Sequence, residues 1–201
     1  MFDGRLRPLI DPTLNRAGRA LAQRNITANH VTLAGLALGL TAALLIALGA
    51  PGLIALIPLI ASRLADGLDG AIARATQKTD FGGYLDITCD FAFYGAIPLA
   101  FALRDPDTNA IPAAVLLFSF YVNAASFLGF ATMAAKRGLE TTAQGDKSLY
   151  YAAGLLEGAE TIAFFIALCL WPTAFAPLAY TFAALCLVTA TARILWASKL
   201  L

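Results

Sequence analysis

Charge is scarce in this chain. Asp, Glu, Lys and Arg make up 13% of its 201 residues, about half the share of an average soluble domain. With 59% hydrophobic residues and a mean hydropathy of +0.72, the composition excludes an ordinary water-soluble fold and points to a membrane protein. Net charge is missing as well: 14 basic residues against 13 acidic ones leave +1, so no global field attracts nucleic acid. The three cysteines, Cys89, Cys169 and Cys186, lie in apolar runs without C-x-x-C spacing. That excludes a thiolate metal site or a disulfide framework and leaves small core residues. The single histidine, His30, stands at the edge of the first apolar run, where an interfacial or hydrogen-bonded role is expected rather than catalysis. No internal repeat is visible, so the inverted repeat of many transporters is not supported.

What the chain has instead is apolar length. A membrane helix needs about 20 mostly apolar residues. Six segments qualify, near 31–50, 52–73, 82–103, 110–135, 148–170 and 174–197, separated by turn formers or charges. The expected fold is all-α: a single domain over residues 1–201, with six transmembrane helices packed as one bundle over 31–197. Ahead of it, Asp11-Pro12 resembles a helix start with cap and first-turn proline. Leu14, Ala17 and Leu21 then share one side, while Arg16, Arg19 and Arg24 project elsewhere. Residues 1–28 are therefore expected to form an amphipathic helix lying on the membrane surface. The first apolar run is full length, so no cleaved leader is expected.

Eleven of the 14 Lys and Arg residues fall before the first span, in the second and fourth connections, or at the end of the chain. The positive-inside rule places that side in the cytoplasm, with both termini and the 74–81 and 136–147 connections. Gly35 and Gly39 form G-x-x-x-G in the first span, a device for close helix approach.

The informative stretch carries Asp66, Asp69, Asp86 and Asp90 in otherwise apolar helices. Each charge at membrane depth costs about 3 kcal/mol or more unless compensated, and bound cations compensate four carboxylates most simply. Asp66 and Asp69 are three residues apart, Asp86 and Asp90 four, so each pair shares one helix face. A short connection makes the two helices an antiparallel hairpin on which the four can converge. All-oxygen ligation selects hard ions such as Mg²⁺, Mn²⁺ or Ca²⁺ over zinc and leaves positions open for phosphate oxygens. Gly67, Gly70 and Ala73 clear space for a nucleotide or diphosphate, with the Arg74 guanidinium beside it. Singly, these residues have plainer roles, as packing devices, positive-inside anchors or an ion path.

Asp66, Asp69, Gly70, Ala73, Arg74, Gly82, Asp86 and Asp90 match D-x-x-D-G-x-x-A-R followed by G-x-x-x-D-x-x-x-D. In this the chain resembles the CDP-alcohol phosphatidyltransferases, and Lys147 to Thr161 resemble a bacterial inner-membrane subgroup of them. Ala28 stands where many relatives have proline, and the gap between Arg74 and Gly82 is one residue shorter than in many. The resemblance implies that an alcohol attacks the β-phosphate of a CDP-linked substrate, usually CDP-diacylglycerol, and that CMP leaves. It implies two Mg²⁺ or Mn²⁺ ions on Asp66, Asp69 and Asp86, with Asp90 near the metals and acting as general base. It further implies a CDP moiety surrounded by Gly70, Ala73 and Arg74, and a homodimer in the bacterial inner membrane with its active site on the cytoplasmic side.

Glu157 and Glu160 share a face of the fifth span, and Arg193 lies in the sixth. They are either partners of one another in the bundle or, with Lys136, Arg137 and Lys147, a pocket for a polar or phosphorylated alcohol. Two rival functions stand beside transfer: an ion transporter or channel conducting through the aspartates, and a lipid-binding protein without catalysis. Transporters spread acidic groups across the bilayer or into broken helices. Here they gather at one side, and all four motif aspartates are present.

Overall fold

Turn chemistry divides the apolar sequence into helices. The computed structural model describes residues 3–138, 156 and 158–200, and the regular structure among them is entirely helical. The elements are α1 (Asp3–Ala22), α2 (Ala28–Ala47), α3 (Gly52–Ala75), α4 (Asp80–Arg104), α5 (Pro106–Lys136), α6 (Gly158–Leu170) and α7 (Phe175–Ala197), the last preceded by a 3-10 turn at Pro172–Ala174.

Their ends follow from local signals. Between α1 and α2, Asn25 takes a left-handed φ of 59°, which asparagine tolerates. Thr27 then caps α2 by accepting from the His30 amide at 3.3 Å. Gly49, with φ 78°, and Pro51 turn the chain into α3. Thr79 starts α4 by accepting from the Gly82 amide at 3.0 Å. Asp105 and Pro106 start α5 in the same way, with Asp105 accepting from the Thr108 amide.

One expected boundary is corrected. Asp11-Pro12 does not begin α1, which runs unbroken from Asp3. A proline removes one donor without forbidding helical φ, and Pro12 sits on the exposed side, where solvent can serve the freed carbonyl. The buried side is also rotated from expectation: Gly18 is buried with Leu14 and Leu21 half-buried, while Ala17 is exposed.

α2 packs against both α3 and α4, α5 against α4 and α7, and α3 against α1 and α6. Close approach sets the geometry. A Cβ on Gly18 would meet the Ala71 backbone at 2.8 Å, and one on Gly39 would meet the Phe93 ring at 2.5 Å. The core is aromatic: Phe101 stacks on Phe175 at 4.6 Å, Phe164 on Phe182 at 4.1 Å, and Phe93 meets Phe165 edge-on at 5.7 Å. Outward positions are apolar too, with Leu48, Ile57, Ile111 and Leu195 all more than 60% exposed.

Among the described residues, four helical segments are long and apolar enough to cross a membrane, namely Ala28–Ala47, Asp80–Arg104, Pro106–Lys136 and Pro172–Ala197. α3 has the length, but Arg63, Asp66, Asp69 and Arg74 interrupt its apolar run. α6 has 13 residues; the rest of the expected fifth span lies outside the described residues.

Candidate active site

The 76–79 connection joins α3 to α4, and both pack against α2 rather than closely on each other, with the C-terminal half of α3 and the N-terminal half of α4 facing one site. Their aspartates meet there. Asp66, Asp86 and Asp90 each offer one carboxylate oxygen, and these atoms lie within 4.8 Å of one another. Asp69 is more deeply placed, 5% exposed, and accepts a 2.6 Å hydrogen bond through Oδ2 from Thr32 Oγ1 on α2.

A cation sits inside this cluster that sequence reasoning had left without a role. Arg63 Nη1 donates to Asp90 Oδ1 at 2.9 Å and lies 3.6 Å from Asp66 Oδ1. Arg63 Nη2 reaches Ser62 Oγ at 3.2 Å, and Ser62 in turn donates to the Gly35 carbonyl at 2.7 Å. The guanidinium lies 4.0 Å from the centre of the Phe93 ring. The signal was present in the sequence: an arginine within an apolar helix requires a partner, and Asp66 follows it by one turn.

The carboxylates open onto a cavity of about 900 Å³ reached by α1, α3, α4, α5, α6 and α7. Gly67, Gly70 and Arg74 line it together with Ile10, Asp11 and Leu14 of α1, and Leu14 packs against Gly67. Ala73 is half-buried on the same turn of α3. Arg74 donates from Nε and Nη2 to Asn15 Oδ1 of α1, at 3.2 and 3.0 Å.

Arg193 lines the same cavity from α7. It is buried, and its Nη1 donates to the Asn123 carbonyl, Asn123 Oδ1 and Ser126 Oγ of α5 at 3.0, 2.9 and 2.7 Å. Glu160 is half-buried in the first turn of α6. Lys136 and Arg137 are exposed at the end of α5, where Arg137 donates to the Leu200 carbonyl. Lys147 and Glu157 lie outside the described residues. All three cysteines are buried and free.

Apolar helices around a half-buried carboxylate cluster, with arginines lining a shared cavity, define a helical membrane protein with a polar centre. The family model for CDP-alcohol phosphatidyltransferase matches residues 25–197. The chain is 44% identical over 200 residues to the inner membrane protein YnjF of Escherichia coli K12, covering all of this chain and 96% of that one. It is 40% identical over 87 residues to the archaetidylinositol phosphate synthase of Pyrococcus horikoshii, covering 43% of this chain and 46% of that one. Its fold matches the crystal structure of Mycobacterium tuberculosis phosphatidylinositol phosphate synthase PgsA1 with CDP-DAG bound, with a TM-score of 0.69 over 92% of each chain at 21% identity. The chain belongs to the CDP-alcohol phosphatidyltransferase family and is an enzyme of that class.

Proposed function

We propose that this enzyme transfers a phosphatidyl group from CDP-diacylglycerol to an alcohol and releases CMP. The observation that carries the reading is the convergence of three carboxylate oxygens within 4.8 Å on a cavity shared with Arg74 and Arg193. The donor set is all oxygen and partly buried, which fits hard divalent ions. Asp66, Asp69, Asp86 and Asp90 would hold them, as two Mg²⁺ or Mn²⁺ ions. Bound there, such ions neutralise phosphate charge and stabilise the departing CMP.

The remaining steps belong to the chain's own residues. Gly70 and Ala73 leave room for the cytidine diphosphate, and Arg74, steadied by Asn15, faces its charge. Asp90 accepts the proton as the alcohol oxygen bonds to the β-phosphorus and the bond from that phosphorus to the CMP oxygen breaks. Arg193, with Lys147, Glu157 and Glu160, would form the acceptor side and suits a phosphorylated alcohol. In this reading six helices span the bacterial inner membrane, α1 lies on its cytoplasmic surface, both termini and the site face the cytoplasm, and the enzyme is a homodimer.

The test supplies purified protein with CDP-diacylglycerol, Mn²⁺ and a panel of alcohols, following CMP release and the lipid product by mass spectrometry. CMP release dependent on one alcohol and on the divalent ion is expected. Ion flux through liposomes containing the protein, with no CMP released from any pairing, would replace transfer by conduction.

A further inference from the structure

Arg63 occupies an unusual position for a buried cation. Its side chain is 10% exposed, and it shares one nitrogen between Asp90 Oδ1 at 2.9 Å and Asp66 Oδ1 at 3.6 Å. Its Nε is buried without a hydrogen-bond partner. An arginine placed for a fixed structural network is expected to use all the faces of its fork. This one leaves Nε unserved, gives Nη2 to Ser62 and points Nη1 at two carboxylates, so charge has a large share in holding it there. Below it, the Phe93 ring at 4.0 Å and the Tyr94 ring at 5.9 Å give the guanidinium a second, charge-tolerant surface.

We propose that Arg63 is a built-in counter-cation of the metal-free enzyme, offsetting one charge of the Asp66–Asp90 pair until divalent ions arrive and competing with those ions for the same carboxylates. This rests on the metal-binding reading above. Four carboxylates and one guanidinium leave a net charge of −3 instead of −4, and the positive group lies within 4 Å of two ligand carboxylates. Divalent ions would therefore bind against a neighbouring positive charge that rests on the Phe93 and Tyr94 rings. Arg63 is a positioning residue, and its removal should tighten metal binding.

The experiment compares metal-stripped wild type, Arg63→Gln and Arg63→Lys in detergent micelles. Free Mn²⁺ is followed by its paramagnetic resonance signal, and melting with and without Mn²⁺. Arg63→Gln should bind Mn²⁺ on the order of ten-fold more tightly, melt lower without metal, and gain more from adding it. Arg63→Lys keeps the charge but loses the planar fork, so its affinity should stay within about three-fold of wild type. Equal or weaker Mn²⁺ binding by Arg63→Gln overturns the proposal while leaving the metal site intact. If that variant folds only with metal, Mn²⁺ release to a chelator is measured instead: slower release than wild type supports competition, and equal or faster release overturns it. Absence of Mn²⁺ binding by wild type would overturn both this proposal and the metal reading beneath it.

Discussion

The α3–α4 hairpin is built to one standard at its turn and to another at its open end. From Gly52 to Leu59 and from Ile97 to Phe101, its inward positions are Ala55, Leu59, Ile97, Ala100 and Phe101, each 3% exposed or less, closed off by the Phe101–Phe175 stack. From Ser62 to Ala75 and from Asp80 to Asp90, the same two helices present aspartates, arginines and glycines around a cavity of about 900 Å³. Apolar packing alone holds the first end. The second end is packed as well, with Ser62, Ala65, Ala71 and Ile72 buried, but it also carries a concentration of like charge. Packing runs along both ends of these helices while the chemistry is gathered at one, and substitutions at the two ends should fail in different ways.

The sharpest contrast comes from the acidic end. Asp66→Asn, Asp69→Asn or Asp86→Asn should each lower CMP release on the order of 1000-fold, because ligand charge is lost where the reaction needs it. Melting of the metal-free protein should not fall, since removing one of several neighbouring carboxylates relieves repulsion. Near-normal turnover in all three variants would dismantle the division. The packed end should behave in the opposite sense. Phe175→Ala removes a fully buried ring and should destabilise by about 3 kcal/mol, visible as a lower melting temperature, while Mn²⁺ affinity of the folded protein stays at the wild-type value.

Arg193 lies on the border between the two behaviours. If it serves the acceptor, Arg193→Gln should raise the acceptor KM about 30-fold, the equivalent of roughly 2 kcal/mol, with CDP affinity unchanged. If it only ties α7 to α5, Arg193→Gln and Asn123→Ala should both lower melting, less than additively when combined, and leave KM alone.

The distribution of charge explains what could be seen in advance. The aspartate pairs were legible because three- and four-residue spacing fixes a helix face, and the connection is too short for anything but a hairpin. The breaks between apolar runs were legible because turn formers or charges interrupt them, whereas the caps at Thr79 and Asp105 were seen only in the structure. Other contacts depend on how helices far apart in sequence are set against each other. Thr32 reaches Asp69 across 37 positions and Asn15 reaches Arg74 across 59, and no period along one helix reveals either. Arg63 shows the limit most clearly. Its need for a carboxylate follows from its place in an apolar helix, but its preference for Asp90 on α4 over Asp66 on its own helix depends on the register of the hairpin. The start of α1 was misjudged because a proline after an aspartate fits a first turn and, equally, the exposed side of a continuing helix.

The smallest effect is expected where α1 meets the cavity, and it asks whether the surface helix belongs to the chemical end of the hairpin at all. Arg74 is exposed, and its Nε and Nη2 both donate to Asn15 Oδ1. In solution a mobile arginine would lose rotamer freedom on meeting a diphosphate, and Asn15 supplies that order beforehand. Asn15→Ala removes one shared acceptor at a partly exposed site, so the loss should be about 1 kcal/mol, read as a CDP affinity about five-fold weaker. Asn15→Asp keeps an acceptor and adds charge near Arg74, so it should hold the arginine more firmly but repel the diphosphate, weakening CDP again without lowering melting. Arg74→Gln should weaken CDP binding by more than either, and adding Asn15→Ala to it should then change nothing further, because Asn15 acts only through Arg74. A further loss of CDP affinity in that double variant would mean that α1 meets the nucleotide directly. Unchanged affinity in Asn15→Ala alone would confine α1 to packing through Gly18 and Ala71.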